Sequence, residues 1–282
     1  MLSELLAMTA LTAAFATATP REDLAARATA LGLSQADRIA ADALPGARLV
    51  PGGTGAARLG GDPDLPPRMK WPTCRGKKTS FLAQFPLADL AQIEPGTVPA
   101  DGTFAVFAGL IPDDDGVTQM EYDRGRVGRA TCVLVRTLHG TLVRRATPKR
   151  VPRLHSRPVR FVPTLTVPDS RMAQDRYGVT DEQLDAYWQL EYEAAAGTLG
   201  RTPDELPVHQ LLGQPASVQY PPLFGCGKAF PTEPRYRLLL QLAFDVRLNF
   251  AIGDGGALYL TGRPADLRAG RFDRLCAEFQ QG

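Results

Sequence analysis

Two glutamines stand inside apolar segments, where an amide side chain has to find hydrogen-bond partners. Gln84 is the fourth residue of FLAQF (81–85), and Gln241 is the fourth residue of LLLQL (238–242). An unpaired buried amide group costs about 1–3 kcal/mol, so each glutamine is expected to bond the backbone of a nearby loop, such as its own Gly-x-Pro turn. The alternative is that both amides converge on a ligand between two halves of the molecule.

His209 is the best titratable candidate among three histidines, none of which lies in a recognisable nucleophile motif. A hydrolase or transferase with a site built from scattered residues would need His209, a carboxylate such as Asp254 and an arginine within hydrogen-bond reach in one pocket. A structural hydrogen bond is the simpler role for His209. No catalytic residue is assigned, and whether the chain is an enzyme stays open.

Positive charge is concentrated in residues 124–160, which contain eleven Lys and Arg and no Asp or Glu, although the whole chain has a formal net charge of +2. Arginine clusters bind phosphate groups in a salt-sensitive way. Arg144, Arg145, Lys149 and Arg150 are the candidate polyanion contacts. Aromatic residues that could stack on bases are nearly absent, so nucleic acid is a less favoured partner and a solvated face of a sheet is preferred.

The cysteines are few and far apart, without a Cys-x-x-Cys pair or a histidine at zinc-ligand spacing. They are Cys74, Cys132, Cys226 and Cys276. This usage favours reduced thiols in a cytoplasmic protein and predicts neither a metal nor a cofactor. Cys74 stands beside cationic residues and is expected to be an exposed thiol.

The elements that must position these residues are mostly strands, because 27 glycines and 24 prolines argue against a helical bundle. Composition and apolar patterning predict a strand-rich protein with a helical N-terminal region. The expected helices cover 21–44, interrupted at Gly32, and 180–196. The expected strands cover 80–85, 103–110, 159–165 and 275–280. Hairpin turns are expected at 113–116 and at His139-Gly140.

A short pattern occurs twice, which raises an internal pseudo-duplication as a hypothesis. LGGDP (59–63) and LLGQP (211–215) both read Leu-x-Gly-x-Pro, and each precedes one of the glutamine segments. GTFAVF (102–107) and GALYL (256–260) then follow in the same order.

This repetition suggests halves at 46–170 and 200–282, joined by the helix near 180–196. Residues 1–45 are expected to form a helical N-terminal extension. A signal peptide at 1–20 is the less favoured reading of the apolar start, and no membrane span is expected because the apolar run is short.

Several of these blocks resemble the YwqG-like family, an uncharacterised group classed as a domain of unknown function. Residues 58–66, the pair Trp71-Pro72 and residues 81–84 look like the opening of the family pattern. Its later blocks resemble 161–169, 209–213, 236–242 and 253–259, in family order from about residue 46 onward. One departure is Ile252, where the family tends to have Trp.

The resemblance implies an α+β fold with a mixed or antiparallel sheet, and no activity, cofactor or catalytic residue. We therefore expect a non-enzymatic binding or protein-interaction module, with an immunity or toxin-neutralising role as one version. The partner is an unknown protein or small molecule. The alternatives are the scattered-residue hydrolase or transferase and polyanion binding through residues 124–160.

Overall fold

The computed structural model describes residues 20–112, 118–120, 125–201, 208–222 and 236–281. The helices in these ranges are α1 Pro20–Ala30, α2 Ala36–Asp42, α3 Leu87–Ile93, α4 Ser170–Tyr177, α5 Leu184–Ala196 and α6 Pro264–Arg268. Short 3-10 helices cover Asp181–Gln183, Val246–Leu248 and Phe272–Arg274.

The strands of the first half of the chain are β1 Leu44–Pro51, β2 Arg58–Leu59, β3 Asp64–Leu65, β4 Thr73–Cys74, β5 Lys77–Lys78, β6 Ser80–Pro86, β7 Thr103–Ala108, β8 Leu110–Pro112, β9 Thr118–Met120, β10 Gly125–Arg126, β11 Val133–Leu138 and β12 Val143–Arg144. Those of the second half are β13 Arg157–Thr166, β14 Gln210–Leu212, β15 Arg237–Ala243, β16 Phe250–Ala251, β17 Ala257–Gly262 and β18 Cys276–Gln280.

The main sheet has eleven strands among the described residues, in the order β10-β18-β17-β15-β14-β1-β13-β2-β6-β7-β11. Its pairings are antiparallel, whereas β16 pairs with β9 in parallel, so the predicted mixed, largely antiparallel α+β fold is confirmed. Central strands have both faces covered. In β7, Phe104 and Val106 face the main core, while Ala105 and Phe107 face a smaller cluster, as the two-residue period of a strand requires.

The sheet curls until its two ends meet at one connecting segment. β10 pairs with β18 at one end, and the next residue, Val127, donates its N–H to the carbonyl of Leu275. Gly128 then donates to the carbonyl of Val133 at the start of β11, the strand at the other end. The segment after β10 therefore satisfies backbone groups that would otherwise be open sheet edges.

The Leu-x-Gly-x-Pro turns occupy equivalent positions in the sheet. Leu59 lies opposite Ala83, and Leu211 lies opposite Leu240, so both turns leave a short strand in the same register. The two residues after each leucine have φ of 58° and 74° in the first turn and 55° and 75° in the second. β6 and β15 also have a bulge at the same place, at the residue two positions before the glutamine.

The repeated strands exchange partners near the middle of the sheet. β1 precedes the first turn but pairs with β14 beside the second turn. β13 precedes the second turn but pairs with β2 beside the first, and β1 and β13 pair with each other. This exchange ties both repeated units into one sheet. The predicted boundaries of 46–170 and 200–282 stay predictions.

The helices α1, α2, α4 and α5 form a layer on one side of the sheet, with a core of their own. Leu24 and Ile39 pack in this core with Tyr187 and Leu190. The predicted N-terminal helical region is confirmed, with Gly32 in the turn between α1 and α2. The division at residue 45 stays a prediction. No helix in the described ranges is long and apolar enough to cross a membrane.

Most predicted strands are present, but one predicted hairpin was wrong. β6, β7, β13 and β18 lie where strands were expected, and α5 follows a capping box at Thr180. The strand after His139-Gly140 does not fold back on β11; it is β12, which pairs with β3. The expected turn at 113–116 and the apolar start at 1–19 fall outside the described residues.

The expectation of reduced cysteines was also wrong. Cys74 on β4 and Cys132 before β11 form a disulfide, and Cys276 is disulfide-bonded as well. Cys74 is therefore a buried half-cystine and not an exposed thiol. Cys226 lies outside the described residues.

Removing this disulfide is expected to destabilise the protein substantially. Cys74 and Cys132 are 58 residues apart in the chain. Closing a loop of that length removes about 4 kcal/mol of unfolded-state entropy in the chain-entropy model, of which about 2–4 kcal/mol is typically measured. Urea unfolding of a Cys74→Ala/Cys132→Ala variant should show this loss against the oxidised wild type. Equal unfolding free energies would contradict a bond formed in the native protein.

Candidate functional site

The two glutamines of the sequence pattern hold equivalent backbone groups. Gln84 Oε1 accepts a hydrogen bond from the N–H of Asp64 at 2.8 Å, and Gln241 Oε1 accepts one from the N–H of Ala216 at 3.1 Å. Each donor is the residue after the proline of the Leu-x-Gly-x-Pro turn. Gln241 Nε2 also donates to the carbonyl of Val208 at 3.0 Å. The expected role of each amide in fixing its own turn is confirmed.

Gln84 and Gln241 do not meet within the sheet. Gln84 lies on β6 and Gln241 on β15, and four strands separate β6 from β15 in the sheet order. Gln241 is instead close to His209, because its amide binds the residue before that histidine. Contact of either glutamine with a ligand stays a prediction, and any such ligand would compete with the turn for the amide.

His209 is buried at the start of β14, and both of its ring nitrogens are bonded within the protein. Nδ1 lies 3.1 Å from the backbone N–H of Ala243, which can only donate, so Nδ1 is the acceptor. The proton therefore belongs to Nε2, which donates to Asp245 Oδ2 at 3.2 Å. Taking up a second proton would break the Ala243 bond, so this geometry does not suit His209 to act as a general base.

Asp245 is the centre of a buried charge cluster that the sequence did not reveal. Its carboxylate pairs with Arg157 on β13 and accepts the N–H of Arg247, besides the bond from His209. Burial opposes its ionisation, but the hydrogen bonds from His209 and Arg247 and the charge of Arg157 outweigh burial and lower the pKa of Asp245. The cluster joins β13, β14 and the end of β15.

Asp254, the carboxylate suggested from sequence, lies elsewhere. It is exposed in the turn between β16 and β17, whereas His209 is buried against Asp245. Within the described ranges no three His, Cys, Asp or Glu side chains are grouped so that they could hold a metal ion.

The arginines of the basic segment are largely committed to the loop after β2. Arg144 Nε lies 2.6 Å from Asp64 Oδ1, and Arg153 Nε lies 3.0 Å from Asp62 Oδ1. Arg145 donates to three backbone carbonyls of residues 66–69. These contacts fasten the segment to the first Leu-x-Gly-x-Pro turn. Polyanion binding by Arg144 and Arg145 stays a prediction, and a polyanion would have to displace these partners.

Lys149 and Arg150 are placed differently, at the rim of a cavity of about 780 Å³. The β4–β5 hairpin lines the same cavity and adds Arg75, Lys77 and Lys78. All five side chains are exposed, and the described lining residues include no Asp, Glu or His. Apolar and backbone groups complete the lining, among them Leu110, Ile111, Pro112, Val151 and Pro152.

The cationic hairpin is held rigidly over a small core. Its disulfide lies in a buried cluster with Phe81 and Phe107, and Trp71 packs edge-on against Phe107 at 5.9 Å between ring centroids. Arg75 donates to the carbonyls of Arg129 and Ala130. The hairpin cations were not predicted as a site. Lys77-Lys78 is visible in the sequence, but no sequence pattern indicates that it lines the same cavity as Lys149.

A second buried acid lies in the helical layer. Glu191 on α5 is 4 % exposed, and burial raises its pKa well above the ordinary value, with a further increase from the charge of Asp169. The N–H groups of Ser170 and Ser217 oppose this shift without reversing it. Glu193, two residues later, is in contrast paired with Arg27 at 2.8 Å.

Replacing the turn-holding glutamines by methionine should destabilise the protein without any ligand present. Gln241→Met leaves the N–H of Ala216 and the carbonyl of Val208 unpaired in a buried setting, for an expected loss of about 2–4 kcal/mol. Gln84→Met loses one short bond and is expected to cost about 1–3 kcal/mol. Urea unfolding measures both. If either variant is as stable as the wild type, the amide does not hold its turn.

Glu191→Gln should stabilise the protein increasingly as the pH rises. The raised pKa means that the folded state keeps the Glu191 proton above about pH 4.3, where the unfolded chain loses it, so wild-type stability falls from that pH upward until the folded pKa is passed. Glutamine has no proton to lose, so the difference between variant and wild type should grow from pH 4 to pH 7.

Glu193→Gln on the same helix is the matched control with the opposite sign. Hydrogen bonds from Arg27 and the N–H of Gly200 lower the pKa of Glu193 in spite of its burial. This variant should therefore be less stable than the wild type at pH 7, with a deficit that shrinks as the pH falls below about 4.3. Urea unfolding at several pH values checks both. Parallel pH profiles for the two variants would refute the assignment.

Comparison with known proteins gives a family and no activity. No curated protein matches the chain. The model of one family matches residues 57–280, a range that includes both Leu-x-Gly-x-Pro turns, the Asp245 cluster and the cationic cavity. The chain belongs to the family described as Domain of unknown function (DUF1963).

Proposed function

We propose that this chain is a non-enzymatic binding module that holds a small ligand in the cavity between the β4–β5 hairpin and the turn at Lys149-Arg150. One observation carries the proposal. The cavity is about 780 Å³, within the size range of small-molecule sites, and its described lining contains neither a carboxylate nor a histidine. The described lining offers a ligand charge and apolar contact, without an acid–base pair to transform it.

His209 and Arg157, the groups that would be candidates for catalysis, form hydrogen bonds and ion pairs within the fold. The ring nitrogens of His209 are bonded to Ala243 and Asp245, and Arg157 is paired with the same carboxylate. The hydroxyl of Thr79 in the cavity wall donates to the carbonyl of Pro72 at 2.9 Å. These contacts favour binding over the hydrolase or transferase alternative, in which His209 would have to exchange protons with a substrate.

Other parts of the expectation remain proposals of the same kind. The YwqG-like name rests on the sequence blocks, and an immunity or protein-partner role rests on the uneven charge distribution and on the lack of a catalytic motif in the sequence. A cytoplasmic location is weakened by the Cys74–Cys132 disulfide, because cytosolic thiols are normally kept reduced.

The test is retention of small molecules by the whole protein. Wild type and Ile111→Trp are dialysed against a small-molecule extract of cells, and bound compounds are identified by mass spectrometry after washing. Ile111 lies in the cavity wall with 48 % of its surface exposed, so tryptophan should fill space there without changing charge or the core. At least one compound should be retained by the wild type, at least tenfold less by Ile111→Trp, and recovered chemically unchanged after prolonged incubation.

Each contrary outcome counts against a particular part of the proposal. Equal retention by both proteins, or no retained compound, rejects the cavity as a binding site. Conversion of the retained compound by the wild type rejects the non-enzymatic reading. Urea unfolding of Ile111→Trp shows that the variant is folded.

A further inference from the structure

We infer that the ligand of this cavity is a small, multiply charged anion of the oligophosphate or polycarboxylate class, held between the hairpin cations and the Lys149-Arg150 turn. This inference rests on the proposed function, because it names the ligand class of the same cavity. It differs from polyanion binding along residues 124–160 in its residues and in its ligand: Arg144 and Arg145 are left out, and Lys77 and Lys78 are added.

Charge balance is the first argument. Arg144, Arg153 and Arg157 each have a carboxylate partner within the protein. Among the described residues, no carboxylate pairs with Lys77, Lys78, Lys149 or Arg150, although these side chains face one cavity. Like charges gathered around one concave space repel each other, and field lines concentrate there. A bound anion would relieve the repulsion from both walls at once.

Backbone conformation is the second, independent argument. Five described residues other than glycine have positive φ, and three of them line this cavity: Arg75 at 47°, Cys132 at 49° and Arg150 at 67°. Such conformations cost of order 1–3 kcal/mol at non-glycine residues and gather at ligand sites. Arg75 and Arg150 both occupy turn positions where glycine or asparagine is favoured.

Arg75 and Arg150 differ in whether their side chains form bonds within the protein. The guanidinium of Arg75 binds the carbonyls of Arg129 and Ala130, so Arg75 has a structural reason to occupy its turn. The turn at Arg150 is closed by a backbone bond from Val151 to Pro148, which any residue could make. The side chain of Arg150 therefore contributes charge to the cavity and no bond within the described part of the protein.

The shape of the site favours a small anion over a nucleic acid. The cations line one cavity of about 780 Å³, a volume typical of small-molecule sites. The described part of the lining has no aromatic side chain on which a base could stack. Leu110, Ile111 and Val151 form an apolar side that keeps water from part of the ligand, which strengthens charge interactions there. The disulfide fixes the hairpin, so the cations need not be gathered when the ligand arrives.

Sodium tripolyphosphate is the probe, titrated calorimetrically into the full-length protein at 50 and 150 mM NaCl. The wild type should bind saturably with one site, more weakly at the higher salt. Lys149→Gln/Arg150→Asn should weaken binding at least tenfold, and Lys77→Gln/Lys78→Gln, in the hairpin that lines the same cavity, should do the same. Asparagine tolerates positive φ, so the first variant should be at least as stable as the wild type in urea.

The matched control is Arg268→Gln, which removes an exposed positive charge that does not line the cavity, and it should change affinity less than twofold. The inference is overturned if tripolyphosphate does not bind saturably, if the two cavity variants bind like the wild type, or if Arg268→Gln weakens binding as much as they do. Tight binding of heparin that depends on Arg144 and Arg145, without binding of tripolyphosphate, also overturns it.

Ile111→Trp separates this inference from the proposed function. If a ligand retained from the extract is lost in Ile111→Trp but kept in Lys149→Gln/Arg150→Asn, the cavity is a binding site and its ligand is not an anion. If Ile111→Trp retains every compound as the wild type does, the cavity is not the binding site and the proposed function is wrong. Loss in both variants, together with tripolyphosphate competition, supports both statements.

Discussion

A buried amide that holds the backbone N–H after a proline is the interaction on which both repeated units depend. Gln84 fixes Asp64 in this way, and Gln241 fixes Ala216. The turn also needs glycine, because a Cβ at Gly60 would overlap the carbonyl oxygen of His155, and one at Gly213 would overlap Thr166 Oγ1. An amide therefore holds each turn on one side, and on the other side the turn packs closely against His155, two residues before β13, or against Thr166 at the end of β13.

The position of Asp64 then determines which nearby arginines are paired with a carboxylate, including Arg144 of the basic segment. Once Gln84 holds its N–H, its carboxylate lies where Arg144 and the buried Arg58 both reach it at 2.6 Å. Burial lowers the pKa of Arg58 from its ordinary high value, and the charge of Asp64 opposes that change. The first turn thus neutralises arginines that, in the sequence, look available to a polyanion. Cations further along the chain, at Lys149 and Arg150, lie beyond its reach.

The sequence predicts the local elements well because their causes are local. Apolar alternation marks β6 and β7, and Gly32 separates α1 from α2. A capping box at Thr180 marks the start of the 3-10 turn that leads into α5. The bonding of Gln84 and Gln241 was predictable too, since a buried amide in a strand has few partners besides the neighbouring turn. The repeated pattern indicates equivalent turns, and their matching φ values agree with it.

What the sequence does not predict depends on contacts between distant segments. β12 pairs with β3, nearly 80 residues earlier in the chain. A prediction that pairs each strand with the next one along the chain therefore places β12 wrongly in a hairpin with β11. Asp245 has no pattern of its own and gains its partners only when β13 and β14 meet beside it. The cavity requires a disulfide between cysteines 58 residues apart, and sparse cysteines give no pairing.

The charged residues of the Asp245 cluster are paired with one another, whereas Arg150 at the cavity has no described partner. In the cluster, His209, Arg157 and Asp245 satisfy one another, so any ligand there would first have to break bonds that hold three strands together. In the cavity, Arg150 adopts a costly backbone conformation and its charge has no described partner, so folding gains nothing from it. Residues that lower the stability of the folded state without a compensating contact are expected at functional sites. This contrast is why we propose the turn at Lys149-Arg150, and not His209, as the place where a ligand binds.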